Sequence, residues 1–113
     1  MKGKLADLKF KEFELEVSYG KNKEYEAEIE RSKKNRTIKV KIEDELNGLD
    51  VKGEEAFKLL YPRLRKLDIR RKMSKRQAIK KALQAFELPF GYKEIELEIT
   101  FKNGKKLEIE DEK

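Results

Sequence analysis

Phe13, Leu15, Val17 and Tyr19 alternate with Glu14, Glu16 and Ser18, which is the period of a β-strand with one wet face. Gly20 to Lys23 turns the chain, and Tyr25, Ala27 and Ile29 repeat the alternation against Glu24, Glu26, Glu28 and Glu30. A second polar break, Ser32 to Arg36, leads to Ile38, Val40 and Ile42, interleaved with Lys39 and Lys41. Three such strands with short polar connections read as an antiparallel meander.

The period then changes to three-and-four spacing. Ala56, Phe57, Leu60, Leu64 and Leu67 form one apolar stripe of a helix predicted from about Glu54 to Leu67. Pro62 lies in that helix and removes a backbone donor, so a kink near Tyr61, or two short helices, is expected. Ser74 starts a second helix, with Gln77 at the spacing of a capping box and Ile79, Leu83 and Phe86 as the buried stripe. Pro89 and Gly91 end it. Ile95, Leu97, Ile99 and Phe101 restore strict alternation against Glu94, Glu96 and Glu98. Asn103-Gly104 is a type I′ hairpin signal, and Leu107 and Ile109 continue the returning strand.

The element order is βββααββ, and every strand is apolar on one face only. The predicted fold is therefore a two-layer α+β domain: an antiparallel five-stranded sheet with two helices packed on one face. Chain direction lets the fourth strand pair with the third or with the first. Lys39 and Lys41 between glutamate-bearing neighbours would gain roughly 0.2 to 1 kcal/mol per cross-strand pair, which favours order 1-2-3-4-5 over 3-2-1-4-5. Residues 1–9 are expected to be a flexible leader and 10–113 a single domain.

Composition sharpens this picture through charge. Of 113 residues 46% are charged and 37% hydrophobic, so the core is thin, and the net charge is +6. That charge is local. Residues 58–93 hold twelve Lys or Arg against Asp68 and Glu87, whereas the flanking segments are close to balance. Such polarity bears on anion binding and encounter rate rather than on reaction chemistry.

The chemical inventory is short. With no histidine or cysteine, the commonest general base, thiolate chemistry and disulfides are unavailable. Ser18, Ser32 and Ser74 are accounted for as strand surface, turn and helix cap. No phosphate-binding loop, dinucleotide glycine pattern or serine elbow occurs, and no Glu-x-Lys occurs as in a nuclease strand. No catalytic residue, metal site or cofactor is expected. Glu43-x-Glu45-x-Asn47-Gly48 followed by Glu54 copies calcium-loop spacing, but a strand precedes it where a helix is required, so an acidic turn is expected.

Two surfaces remain. The strand glutamates read as a solvated sheet face, or as a face that docks on the basic layer of a second copy, although a monomer is expected. On a helical wheel Lys58, Arg65 and Lys66 point away from the first apolar stripe and Lys80 and Lys81 from the second, while Arg70, Arg71 and Lys72 lie in the connection. These eight cations are either a solubilising face or a surface for polyanions. Only Tyr61 is near them, so base stacking and sequence readout of nucleic acid lack support.

The chain resembles the YusW-like family of small bacterial proteins. The resemblance rests on Phe13-Glu14-Leu15-Glu16-Val17 with Tyr25-Glu26-Ala27-Glu28, on Glu55-Ala56-Phe57 leading to Leu64 and Leu67, and on Ala85-Phe86-x-Leu88 through Tyr92-Lys93 to Glu96-Leu97-Glu98-Ile99-x-Phe101-Lys102-Asn103-Gly104. It spans about residues 13 to 110, and the matching residues are core and turn positions. The family has no known activity, and its members commonly look like exported lipoproteins with a signal peptide and an acylated cysteine. This chain has neither. It is either a mature envelope-associated domain or a cytoplasmic relative. The resemblance implies lipid phosphate or a cell-wall polymer as the anion met by the basic layer. The combined expectation is a non-enzymatic binding module for anionic membrane or wall polymer. Its alternatives are a non-specific nucleic-acid binder and a structural domain that binds a protein partner.

Overall fold

The strand with the most apolar inward face becomes the spine of the sheet. In β1 (Phe10–Ser18) Phe10, Phe13, Leu15 and Val17 are buried. Phe13, Leu15 and Val17 stand opposite Ile29, Ala27 and Tyr25 of β2 (Glu24–Arg31) on one side, and opposite Ile99, Leu97 and Ile95 of β5 (Glu94–Phe101) on the other. The remaining strands are β3 (Ile38–Asp44), β4 (Leu49–Lys52) and β6 (Lys106–Glu112). This computed structural model describes residues 4, 6–32, 37–70 and 72–113.

The fold is α+β with an antiparallel sheet and two helices, as the periodicity predicts, but the sheet has six strands rather than five, in the order β4-β3-β2-β1-β5-β6. The extra strand is β4. It forms a hairpin with β3 in which Ile42 faces Val51 and Asp44 faces Leu49. The Asp44 carboxylate holds that turn by accepting from the Leu46 and Asn47 amides at 2.9 and 3.1 Å and from Asn47 Nδ2 at 2.9 Å. Gly48, at φ 67°, supplies the left-handed position. The segment with calcium-loop spacing is thus a turn and a short strand.

The favoured order 1-2-3-4-5 is also corrected, because β5 lies beside β1 and not beside β3. The local hairpin with β4 occupies the free edge of β3. Between two partners, β1 carries its apolar face at the middle of the sheet, under the helices. Burying a large apolar side chain is worth roughly 1.5 to 3 kcal/mol, which outweighs a like-charge cross-strand pair at under about 1 kcal/mol. Lys41 nevertheless finds the acids expected of it, at 3.1 Å from Glu26 and 3.8 Å from Glu28 and Glu43.

The helical layer comprises α1 (Gly53–Lys66) and α2 (Lys75–Ala85). Pro62 does not divide α1, which runs as one helix through it. Pro62 and Lys58 are both exposed, so the unpaired carbonyl one turn back is on the wet side, where water replaces the lost donor. Glu54 and Glu55 in the first turn and Arg63, Arg65 and Lys66 in the last suit the helix dipole. The capping box of α2 is present: Gln77 N donates to Ser74 Oγ at 3.2 Å and Ser74 N to Gln77 Oε1 at 3.4 Å. Leu88 N donates to Leu83 O at 2.9 Å and Glu87 takes φ 54°, so α2 closes in a Schellman turn with a non-glycine residue at its left-handed position.

Between the layers the Phe86 ring stacks on Phe13 at 5.5 Å and meets Tyr25 edge-on at 5.9 Å. Leu8, which falls in the expected leader, is 4% exposed and belongs to the same core, and Tyr61 Oη donates to Asp7 at 3.3 Å.

Candidate functional site

The buried stripe of α1 is Ala56, Phe57, Leu60 and Leu64, which turns Lys58, Arg65 and Lys66 to solvent. In α2 the buried residues include Ala78, Ile79, Ala82 and Leu83, which turns Lys80 and Lys81 outward. Arg70 and Lys72, in the connection, are exposed too. Arg71 lies outside the described residues. Seven of the eight expected cations are therefore exposed on the helical layer or its connection. Among the described residues none of the seven pairs with a carboxylate. Two nearby acids go to other cations: Glu87 lies 3.7 Å from Arg63, and Asp111 3.3 Å from Lys75. Arg65 Nη1 donates to Tyr61 Oη at 3.1 Å and its guanidinium lies 5.8 Å from that ring, so Tyr61 is held by its own neighbours.

Periodicity alone missed part of this surface. Lys75 and Arg76 are exposed on α2 beside the expected residues. Phe90, in the turn after α2, is 52% exposed, and with Ile79 and Tyr92 it lines a groove of about 640 Å³ rimmed by Lys75, Arg76, Lys80 and Lys113. The available signal was an aromatic between Pro89 and Gly91 that fits neither the helical nor the strand period.

The opposite face of the molecule carries the other sign. Register places Asp50, Glu43, Glu26, Glu16, Glu96 and Glu110 in one row across all six strands. The next row runs Lys52, Lys41, Glu28, Glu14, Glu98 and Glu108. Carboxylate oxygens of Glu14, Glu16 and Glu26 lie within 4.8 Å of one another. Partial burial, then a hydrogen bond with Glu96 and the charge of Glu26, push the Glu16 carboxyl up to about 7. Partial burial and a hydrogen bond with Glu30 push Glu28 up to about 7 against the pull of Lys41. Burial and Glu14 raise Glu98 as well. This face can take up protons near neutral pH, and it repels anions.

No helix among the described residues is long and apolar enough to cross a membrane. Fold and charge together define a small two-layer α+β domain with a basic helical face and an acidic sheet face. The family model for YusW-like proteins matches residues 11–103, and the chain belongs to that family. It is 31% identical over 105 residues to the uncharacterized protein YusW of Bacillus subtilis (strain 168), an alignment that covers 93% of this chain and 72% of the relative. No solved structure matches the chain.

Proposed function

We propose that the domain is a binding module that docks on anionic surfaces through its helical layer. The observation that supports this most directly is the set of exposed cations on and between α1 and α2 that have no carboxylate partner among the described residues: Lys58, Arg65, Lys66, Arg70, Lys72, Lys80 and Lys81. A solubilising face needs no such segregation, since mixed signs serve solubility as well. Each cation near an anionic bilayer contributes about 1 kcal/mol, so five in register give roughly 5 kcal/mol, a weak and reversible attachment that a tether would make stable. The acidic rows on the other face fix orientation, because an anion meets attraction from one side only. Nucleic acid ranks second. The helical layer offers phosphate contacts, but its Tyr61 is engaged by Arg65, Asp7 and Phe57 and is not available for stacking.

The test is co-sedimentation with vesicles of phosphatidylglycerol and phosphatidylcholine in varied ratio, beside a fluorescence-anisotropy titration of a short DNA duplex, each over a salt series. Binding that grows with phosphatidylglycerol, weakens with salt and disappears in a Lys58→Glu, Arg65→Glu, Lys80→Glu, Lys81→Glu variant is the expected result. Indifference of the wild-type protein to anionic vesicles at low salt would overturn the reading, and tighter binding to the duplex would replace it.

A further inference from the structure

The groove beside Phe90 combines two properties. Its floor and wall are apolar, formed by Ile79, Tyr92 and the exposed Phe90 ring, and its rim is cationic. The rim cations are not equivalent. Lys75 is paired with Asp111 at 3.3 Å, and Lys113 sits 4.2 Å from the centre of the Tyr92 ring and donates to the Phe90 carbonyl at 3.4 Å. Asp111 also accepts from Tyr92 Oη, and its carboxyl is held below the ordinary range by that bond and by Lys75. Those contacts fix the groove wall. Arg76 and Lys80, one helical turn apart on α2, have no carboxylate partner among the described residues and face the same space.

A groove of about 640 Å³ with an apolar body and two uncommitted cations at its mouth fits an anion that carries hydrocarbon. A purely polar polyanion would use Arg76 and Lys80 and leave Phe90 in water; a purely apolar ligand would leave the cations unmatched. Resting on the helical-layer reading above, we infer that this groove is the seat of one anionic phospholipid of a bilayer, its phosphate between Arg76 and Lys80 and the first carbons of its acyl chains across Ile79 and Phe90. The groove adjoins the outward face of α2 that carries Lys80 and Lys81, so bilayer contact through the basic layer brings headgroups to its mouth. Electrostatics then supply approach, and Phe90 supplies the part of the affinity that salt does not remove.

The chain contains no tryptophan, so Phe90→Trp places a single indole reporter in the groove. Phe90 is half exposed, and circular dichroism of the variant checks that the fold is kept. Vesicles of phosphatidylglycerol should shift the indole emission to the blue and expose it to quenching by lipids brominated near the headgroup. Phe90→Ala should weaken vesicle binding by about tenfold, with a residue of wild-type binding at high salt lost in the variant. Arg76→Gln with Lys80→Gln, added to the Phe90→Trp background, should lower binding while leaving the unbound indole emission unchanged. If the Phe90→Trp variant sediments with vesicles but its emission stays that of a water-exposed indole, the groove assignment is overturned and the helical-layer reading stands. If wild-type protein does not sediment with vesicles, both fall. A blue shift produced by monomeric dihexanoyl phosphatidylglycerol, without any vesicle binding, would overturn the bilayer assignment in favour of a soluble amphiphile. The same shift with an acidic peptide alone would make the groove a protein-docking site.

Discussion

Acidification should stabilise this protein, because its most crowded carboxylates are those of the sheet face. Glu16 is met by Glu26 on β2, by Glu96 on β5 and by Glu14 on its own strand. Glu28 is met by Glu30 on its own strand, Glu14 on β1 and Lys41 on β3, of which only Lys41 favours its ionised form. Both carboxyls are raised from the ordinary 4.5 to about 7, first by partial burial and then by these neighbours. The protonated form is the one that the fold favours, so between pH 4.5 and about 7 the native state binds more protons than the unfolded chain. Their contribution is complete below about 4.5 and is lost as pH rises through about 7.

Without screening, each shift would correspond to roughly 3 kcal/mol. Both side chains are only partly buried, and screening by the adjacent water reduces the figure to about 1 kcal/mol each and about 2 kcal/mol for the two. Urea unfolding followed by circular dichroism at about pH 5 and about pH 8 should therefore give greater stability at the lower pH, and the thermal midpoint should move by roughly 8 °C. Asp111, held low by Tyr92 and Lys75, acts in the opposite sense, but its contribution is lost only as pH falls below the ordinary 3.8, outside this window. A Glu16→Gln, Glu28→Gln variant should be more stable than wild type near pH 8 and much less responsive to pH. Stability that is flat or increasing from pH 5 to pH 8 would refute the reasoning, since it would mean that water and rotamer freedom relieve the crowding completely.

Two further outcomes follow from packing and backbone. Phe86→Ala removes the ring stacked on Phe13 and edge-on to Tyr25 and should cost about 3 to 5 kcal/mol, read as a shift in the urea midpoint at unchanged slope. Glu87 occupies the left-handed position of the α2 Schellman turn at φ 54°, so Glu87→Gly should stabilise the protein by up to about 1 kcal/mol, net of the exposed ion pair to Arg63; a loss of stability would show that this pair outweighs backbone strain.

Much of the fold was legible because thin cores require strict periodicity. The long strands alternate cleanly except at the irregularity between Phe10 and Glu12 of β1, and the Ser74 and Gln77 spacing matches a capping box that is present. Leu49-Asp50-Val51-Lys52 escaped because four residues give only two apolar positions, too few to distinguish a strand from the lead into α1. The strand order failed for another reason. Charge pairing between neighbouring strands is weaker than the decisive terms, the local β3–β4 hairpin and the central burial of β1. At the candidate site, wheel geometry placed Lys58, Arg65, Lys66, Lys80 and Lys81 on the exposed side of their helices, where they lie. Phe90 could not be placed, because exposure of a turn residue depends on what packs over it and no period carries that information.

The acidic face must be reconciled with the proposed attraction to an anionic plane. Its rows span all six strands and approach the magnitude of the basic layer's charge, so the net charge of +6 understates the attraction at contact. Distance decides the balance. The molecule measures 24 Å along its shortest axis, whereas the Debye length at physiological ionic strength is about 8 Å. A plane touching the helical layer is therefore about three screening lengths from glutamates on the far side, and their repulsion is largely extinguished while the cations act at full strength. Turned the other way, the same plane would meet carboxylates first, with the cations screened. Segregating the two signs onto opposite layers thus converts a modest net charge into a preference for one orientation, a property that the same residues mixed over the surface would not have.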